Sequence, residues 1–301
     1  MLPFQLASRV SVTTAAVAAA AGLALAGVGA SAESLAGLQA ASHELTRVTE
    51  GVYAFRWNAH NALIVVAPEG VVVVDPISEP AARQIAVQIR DIAPGATLRA
   101  IVYSHDHADH ASGAAALREA LASDAPVLAQ EAAAPKIRER ADPALPPPDI
   151  TYADRLTLAS TERSVELHFL GKSHSDNMSV VLVPEARVAF AVDFIANDRV
   201  GYQELPDYHF PDFFETLPRV LDLEFDTIVF GHGPPGDRAT VTGQIAYYSD
   251  LERAVEQAVE DGLSEDQAAA RVELPQYAGW GQYEAWFPGN VRAIHRWVSN
   301  R

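Results

Sequence analysis

The stretch Ser104-His105-Asp106-His107-Ala108-Asp109-His110 decides how this chain reads. Three imidazoles and two carboxylates fall within its last six positions, although the whole chain has only ten histidines. Imidazole nitrogen and carboxylate oxygen are good zinc ligands. Arg99 to Tyr103, just before them, reads as a buried strand. A strand cannot aim consecutive ligands at one point, because alternate side chains face opposite ways. A loop leaving the strand's end can. The spacing His-x-His-x-Asp-His sends His105 and His107 one way and lets Asp109 and His110 turn to a second point nearby. Two metals close together are therefore expected.

Working outward, the 301 residues are 49% hydrophobic and 20% charged, which suits one large domain or two modest ones and not a disordered chain. Arg9, the apolar run Val10 to Val28 and the small-x-small triplet Ala30-Ser31-Ala32 read as an export signal cleaved after Ala32. The competing reading is an uncleaved anchor. A periplasmic or secreted protein is expected, with no stable membrane association after cleavage, because no later stretch is apolar enough to span a bilayer. Formal charge is −17, and the only lysines are Lys136 and Lys172, so nucleic acid is not an expected partner. The absence of Cys excludes disulfides, thiol nucleophiles and Cys-bound metals. Any metal must be held by His, Asp or Glu.

The chain divides into a core of about 44–237 and a helical C-terminal extension of about 238–301 within one domain, 33–301. His43 to Arg56 reads as a strand, Trp57 to Asn61 as a turn, and Ala62 to Val66 with Val71 to Val74 as a hairpin around Pro68-Glu69-Gly70. Pro80 to Ile92 and Ala111 to Ala122 read as helices. Strands resume at Arg155 to Leu158, Ser164 to Leu170, Met178 to Val183 and Arg187 to Val192, and another runs from Thr227 to Phe230. Asn197 to Asp212 is a long loop. Helices follow over Arg238 to Asp261, after the S-x-x-Q capping box at Ser264, and over Tyr283 to Val298 with an interruption at Pro288-Gly289. Strands, helix, strands, then helices point to two packed sheets with helices outside, an α/β sandwich.

Three later positions sit at strand ends, where a loop can present a ligand on rigid support: His174, Asp193 and His232 in Gly231-His232-Gly233. With these in place, the sequence resembles the metallo-β-lactamase superfamily from about residue 44 to 235. The resemblance implies an αββα sandwich with its metals at one edge between the sheets. It implies that His105, His107 and His174 hold one Zn2+, that Asp109, His110 and His232 hold a second, and that Asp193 bridges them. The chain departs from many lactamases of the superfamily at Asp193, where those have Cys, and so looks like the broader hydrolases. It also has Lys172 where many members have Gly, which puts a single mobile cation near the metals.

Two zinc ions about 3.5–4 Å apart can lower the pKa of a shared water, making a hydroxide that attacks a carbonyl. Asp109 is then both ligand and proton shuttle, the catalytic carboxylate. The expected activity is hydrolysis of a small-molecule β-lactam, lactone, ester or thioester, with β-lactam the leading substrate. A glyoxalase-II-like thioesterase and a lactonase share the ligands. An iron-dependent sulfur dioxygenase and a non-catalytic metal-binding protein are the alternatives of another class. Asp75, Ser104 and Ser173 are candidates to support ligands. Asn177, in the turn after His174, and His60, in the turn after the first strand, are further pocket candidates. Tyr202, Tyr208, Trp280, Tyr283 and Trp286 could line a substrate pocket or simply pack. Oligomeric state is left open.

Overall fold

β-branched runs broken by turn residues build most of this molecule. The computed structural model describes residues 42–301, so the expected export segment lies outside the described residues. Strands β1 (His43–Thr49), β2 (Val52–Trp57), β3 (His60–Ala67), β4 (Gly70–Val74), β5 (Leu98–Val102), β6 (Val127–Gln130) and β7 (Ile150–Tyr152) form a seven-stranded sheet in chain order. β1 to β4 meander antiparallel, and β4 to β7 run parallel. Parallel neighbours need crossovers. The crossover segments carry α1 (Glu79–Ile92), the short α2 (Ala108–Ala111) and α3 (Ala114–Ala120), and α4 (Ala133–Arg140). The second sheet is five-stranded, with β8 (Arg155–Leu158), β9 (Val165–Phe169), β10 (Ser179–Val183), β11 (Val188–Ala191) and β12 (Thr227–Phe230) in the order β12-β11-β10-β9-β8.

The period of two explains the layering. Leu63, Val65, Val72 and Val74 face the second sheet and pack with Leu167, Val181 and Val183. Their neighbours Ala62, Ile64, Val71 and Val73 face outward and pack with Ala82, Ile85 and Ile89 of α1. Each fully buried Val or Ile stabilises the fold by about 1.5–3 kcal/mol. The second sheet is covered by α5 (Asp212–Arg219), α6 (Arg238–Glu260), α7 (Glu265–Arg271) and α8 (Tyr283–Val298), whose Leu217, Leu251, Val255, Ala268 and Ile294 join the inter-sheet core. The layers are helices, sheet, sheet, helices, as the sequence implies. None of the helices among the described residues is long and apolar enough to cross a membrane.

Local departures from the sequence reading have physical causes. The single strand expected over His43 to Arg56 is a hairpin, because Gly51 takes φ +69° and reverses the chain after Glu50. The helix expected from Ala111 starts earlier, at Ala108 inside the motif, and breaks after Ala111. Gly113 lies at that break, where a Cβ would come within 2.2 Å of the Pro76 carbonyl oxygen. Pro288 does not interrupt α8, which runs unbroken through it. Asn290, two residues on, pins that part of the helix by donating to the carbonyls of Gly201 and Gln203 at 2.9 and 2.7 Å.

Candidate metal centre

Five chain segments end at one edge of the sandwich. β5 delivers the motif, the β9–β10 turn delivers His174, and β11 and β12 deliver Asp193 and His232. β3 begins at His60, which pairs with His232 in an antiparallel bridge. Asn61 ties the two sheets together there, donating from its side chain to the carbonyls of Phe230 and Gly233 at 2.7 and 2.8 Å.

Two groups of potential ligands result. His105, His107, His174 and Asp193 form one; His60, Asp109, His110 and His232 form the other, and within each the ligand atoms lie within 4.8 Å of one another. The structure thus brings together all seven residues singled out in the sequence. The helical turn α2 separates the groups. His107 is its N-cap, while Asp109 and His110 lie inside it and turn toward the second group. Asp193 stands between them, its Oδ2 at 3.2 Å from His105 Nε2 and its Oδ1 at 3.3 and 2.9 Å from the Nε2 atoms of His110 and His232. Asp193 and Asp75 both adopt left-handed backbone, φ +61° and +55°, a region that Asp tolerates better than most residues.

The surroundings hold these rings in place. Ser104 Oγ lies 2.9 Å from His105 Nδ1, and His232 Nδ1 donates to the Ala59 carbonyl at 2.9 Å. In both rings Nε2 is left facing Asp193. Asp75 is fully buried, accepts the Ser104 N–H at 2.7 Å and sits 3.4 Å from His110 Nδ1. Asn177 clamps the motif to the His174 turn: its Oδ1 accepts the Asp106 N–H at 3.0 Å and its Nδ2 donates to Asp106 Oδ1 at 2.7 Å. Arg140 pairs with Asp106 at 2.6 Å, so that buried carboxylate is structural.

Electrostatics favour a cation. Burial pushes the Asp193 carboxyl up, but His110 and the other imidazoles around it hold it well below the usual carboxylate range. Burial pushes His110 down, but Asp193 and Asp75 raise it well above an ordinary histidine. Burial pushes His174 down to about 3, so it is a neutral donor near pH 7. The Asp109 carboxyl is desolvated, yet the His60 hydrogen bond at 3.2 Å and nearby His110 keep it low and ionised. The Nε2 atoms of His105 and His110 are buried without a hydrogen-bond partner. Orphaned buried nitrogens are costly. A metal ion accepting their lone pairs relieves that cost, so the donor set fits a resident metal.

Other candidates divide. Tyr202 and Trp286 line the pocket in front of the centre; His60 does so as well. Tyr208 donates to the Asp193 carbonyl at 3.1 Å. Trp280 packs against Tyr247 and Tyr277, and Tyr283 stacks on Phe287, so both belong to the helical layer. Ser173 is buried with its hydroxyl unpartnered. Lys172, placed near the metals by its position in sequence, is exposed and lines no part of the pocket, because the turn points its neighbours Ser173 and His174 inward instead. The cation that does line the pocket is Arg199, which sequence reasoning passed over inside the long loop.

Comparison with known proteins agrees with this architecture. Residues 55–232 match the model of the metallo-beta-lactamase superfamily. A curated relative, the 2,4-dinitroanisole O-demethylase subunit alpha of Nocardioides sp. (strain JS1661), is 28% identical over 188 residues, 62% of this chain and 54% of the relative. The chain thus matches about half the length of that relative. A metallo-beta-lactamase from Pontibacter korlensis superposes with TM-score 0.59 at 21% identity, covering 69% of this chain and 99% of its own. A stereoselective inverting sec-alkylsulfatase from Pseudomonas sp. gives TM-score 0.66 at 17% identity, covering 84% of this chain and 49% of its own. That larger share of this chain cannot be reached without helices beyond residue 237, so the likeness extends into the C-terminal layer. The matched model covers more than half of the sequence, from the hairpin strands to the last histidine of the centre, and the chain belongs to the metallo-beta-lactamase superfamily.

Proposed function

We propose that this superfamily hydrolase is a dizinc enzyme that cleaves a small-molecule ester-like or amide-like bond, with a β-lactam the first substrate to test. The observation that supports it is the meeting of two ligand groups at one carboxylate, Asp193, which belongs to the group of His105, His107 and His174 and also reaches His110 and His232 of the other. One zinc would rest on His105, His107 and His174, and the other on Asp109, His110 and His232, with His60 beside it. When bound, such ions supply Lewis acidity and a water acidic enough to ionise near neutral pH.

The chain's own residues then have distinct tasks. Asp109 is the carboxylate that orients the attacking water and moves its proton, and Asp109 Oδ2 is held at 3.2 Å by His60 Nε2. Ser104, Asp75 and the Ala59 carbonyl fix the imidazoles of His105, His110 and His232. The pocket in front, about 450 Å³, admits a small molecule. The comparison proteins are named for acting on β-lactams, 2,4-dinitroanisole and sec-alkyl sulfates, so the leaving group is part of the proposal left to experiment. We also propose export and cleavage after Ala32, a reading that rests on residues 1–32 alone.

The test is turnover of nitrocefin, a lactone, a p-nitrophenyl ester and a thioester by zinc-loaded protein. Chelation is expected to remove at least ~100-fold of the activity on whichever substrate turns over, and added zinc to restore it. Turnover indifferent to chelator would contradict the proposal.

A further inference from the structure

Of the four side chains in the second ligand group, His60 is the one that the family resemblance does not place on a metal. A simpler role is open to it, because its Nε2 lies 3.2 Å from Asp109 Oδ2 and one hydrogen bond satisfies both groups. Yet its backbone is anchored as a ligand's would be. His60 opens β3, pairs with Trp57 across the β2–β3 turn and bridges to His232 on the other sheet. On either side of it, the Asn61 N–H donates to the Gly231 carbonyl at 2.8 Å and His232 Nδ1 donates to the Ala59 carbonyl at 2.9 Å. Main chain therefore fixes His60 against His232, the rigid placement that a metal site requires. A histidine that only solvates Asp109 needs no such anchoring, since that side chain is 56% exposed and open to water.

The rings carry a second sign. In the first group the centroids of His105 and His107, His107 and His174, and His105 and His174 lie 4.4, 4.8 and 5.5 Å apart, with interplanar angles of 62°, 83° and 82°. His60, His110 and His232 repeat that trio. His60 lies 4.5 Å from His232 and 5.2 Å from His110, both at 62°, and His110 lies 5.2 Å from His232 at 87°. Rings that each aim one nitrogen at a common point cannot lie flat on one another, so they meet at steep angles and short separations.

Donor spacing agrees. Two ligands on one tetrahedral zinc, each 2.0–2.1 Å from it, stand about 3.3–3.4 Å apart. In the first group His174 Nε2 lies 3.1 Å from His107 Nδ1 and 3.5 Å from Asp193 Oδ2. In the second, Asp109 Oδ2 lies 3.2 Å from His60 Nε2 and 3.7 Å from His110 Nε2. The His60 contact is as close to a ligand–ligand edge as any in the first group.

We infer that His60 is a ligand of the second metal ion, binding through Nε2 beside Asp109, His110 and His232. The inference rests on the dizinc reading for the presence of that ion and deepens it by completing the ligand set. Three imidazoles and Asp193 already make the four donors that zinc prefers. Asp109 is then not needed to retain the ion and is free to move a proton.

The test has two arms. Crystals of the zinc-loaded full chain, with anomalous scattering recorded at the zinc edge, should place His60 Nε2 about 2.0–2.1 Å from the second ion. Chelator competition then compares wild type, His60→Gln and His60→Ala. Gln can still donate to Asp109 but replaces the imidazole, so both variants should lose at least ~10-fold in one of the two zinc affinities and keep the other. Tm of the zinc-stripped variants should match that of stripped wild type, because the His60 side chain is already 26% exposed. An ion with His60 Nε2 more than about 3 Å away, or His60→Gln binding both ions as wild type does, would overturn the inference and leave the dizinc reading intact. The crystal arm uses wild type alone and decides the matter even if a variant does not fold. Wild type that takes one zinc, on His105, His107 and His174, would sink both readings. Two ions with His60 bound, in a protein that turns over no substrate, would sink the hydrolase reading and leave the ligand standing.

Discussion

Asp193→Asn is expected to hold metal at least ~100-fold more weakly than wild type and to lose essentially all turnover at ordinary zinc concentrations. The reason is position. One carboxylate lies within 2.9–3.5 Å of the Nε2 atoms of four histidines, His105, His110, His174 and His232. Both ligand groups therefore lose an anionic neighbour in a single substitution. Removing a residue that merely supports a ligand typically costs 10–100-fold in metal affinity, and a shared ligand should cost more. Asn is the informative replacement. It tolerates the left-handed backbone at φ +61°, whereas Ala would add conformational strain to the loss of charge. Competition with a chromophoric chelator measures the affinity. Wild-type affinity in Asp193→Asn would remove Asp193 from the centre.

Asp109→Asn is expected to behave differently, keeping the fold and lowering kcat by about 10²–10⁴-fold at saturating zinc, the range for loss of a positioned general acid or base. Asp109 side-chain exposure is 56%, so little packing is lost. The amide can still accept a hydrogen bond from His60 but cannot take a proton. The wild-type carboxyl is held low by His60 and His110, so it stays ionised down to strongly acidic pH. An acidic limb in the rate profile should therefore come from groups other than Asp109. Steady-state kinetics with zinc added to saturation separates the proton-transfer role from weakened metal binding. Near-wild-type kcat under those conditions would remove the role.

Much of this centre was legible because its ligands are clustered or punctuated. His105 to His110 carry five of their six positions as His or Asp, and Asp193 and His232 each lie two residues past the end of an apolar strand. Pairing them into two sites came from family resemblance, since spacing alone only separates the two halves of the motif. His60 was weakly signalled, because a lone histidine beside a turn carries no pattern. Its role depends on the bridge to His232 across the sheet edge, a contact between residues far apart in sequence. Lys172 and Arg199 show the same limit from the other side. Which way a turn residue points is set by tertiary packing, and neither lies in a periodic element that would reveal it. The tail was readable as helices, the capping box at Ser264 included, but that α8 carries Trp286 to the pocket follows only from its docking on the Gly201–Leu205 segment.

The measurement that tests the central claim most directly is the metal content of purified wild-type protein by elemental mass spectrometry. Two zinc ions per chain are predicted. One ion per chain, none, or iron in place of zinc would contradict the dizinc account.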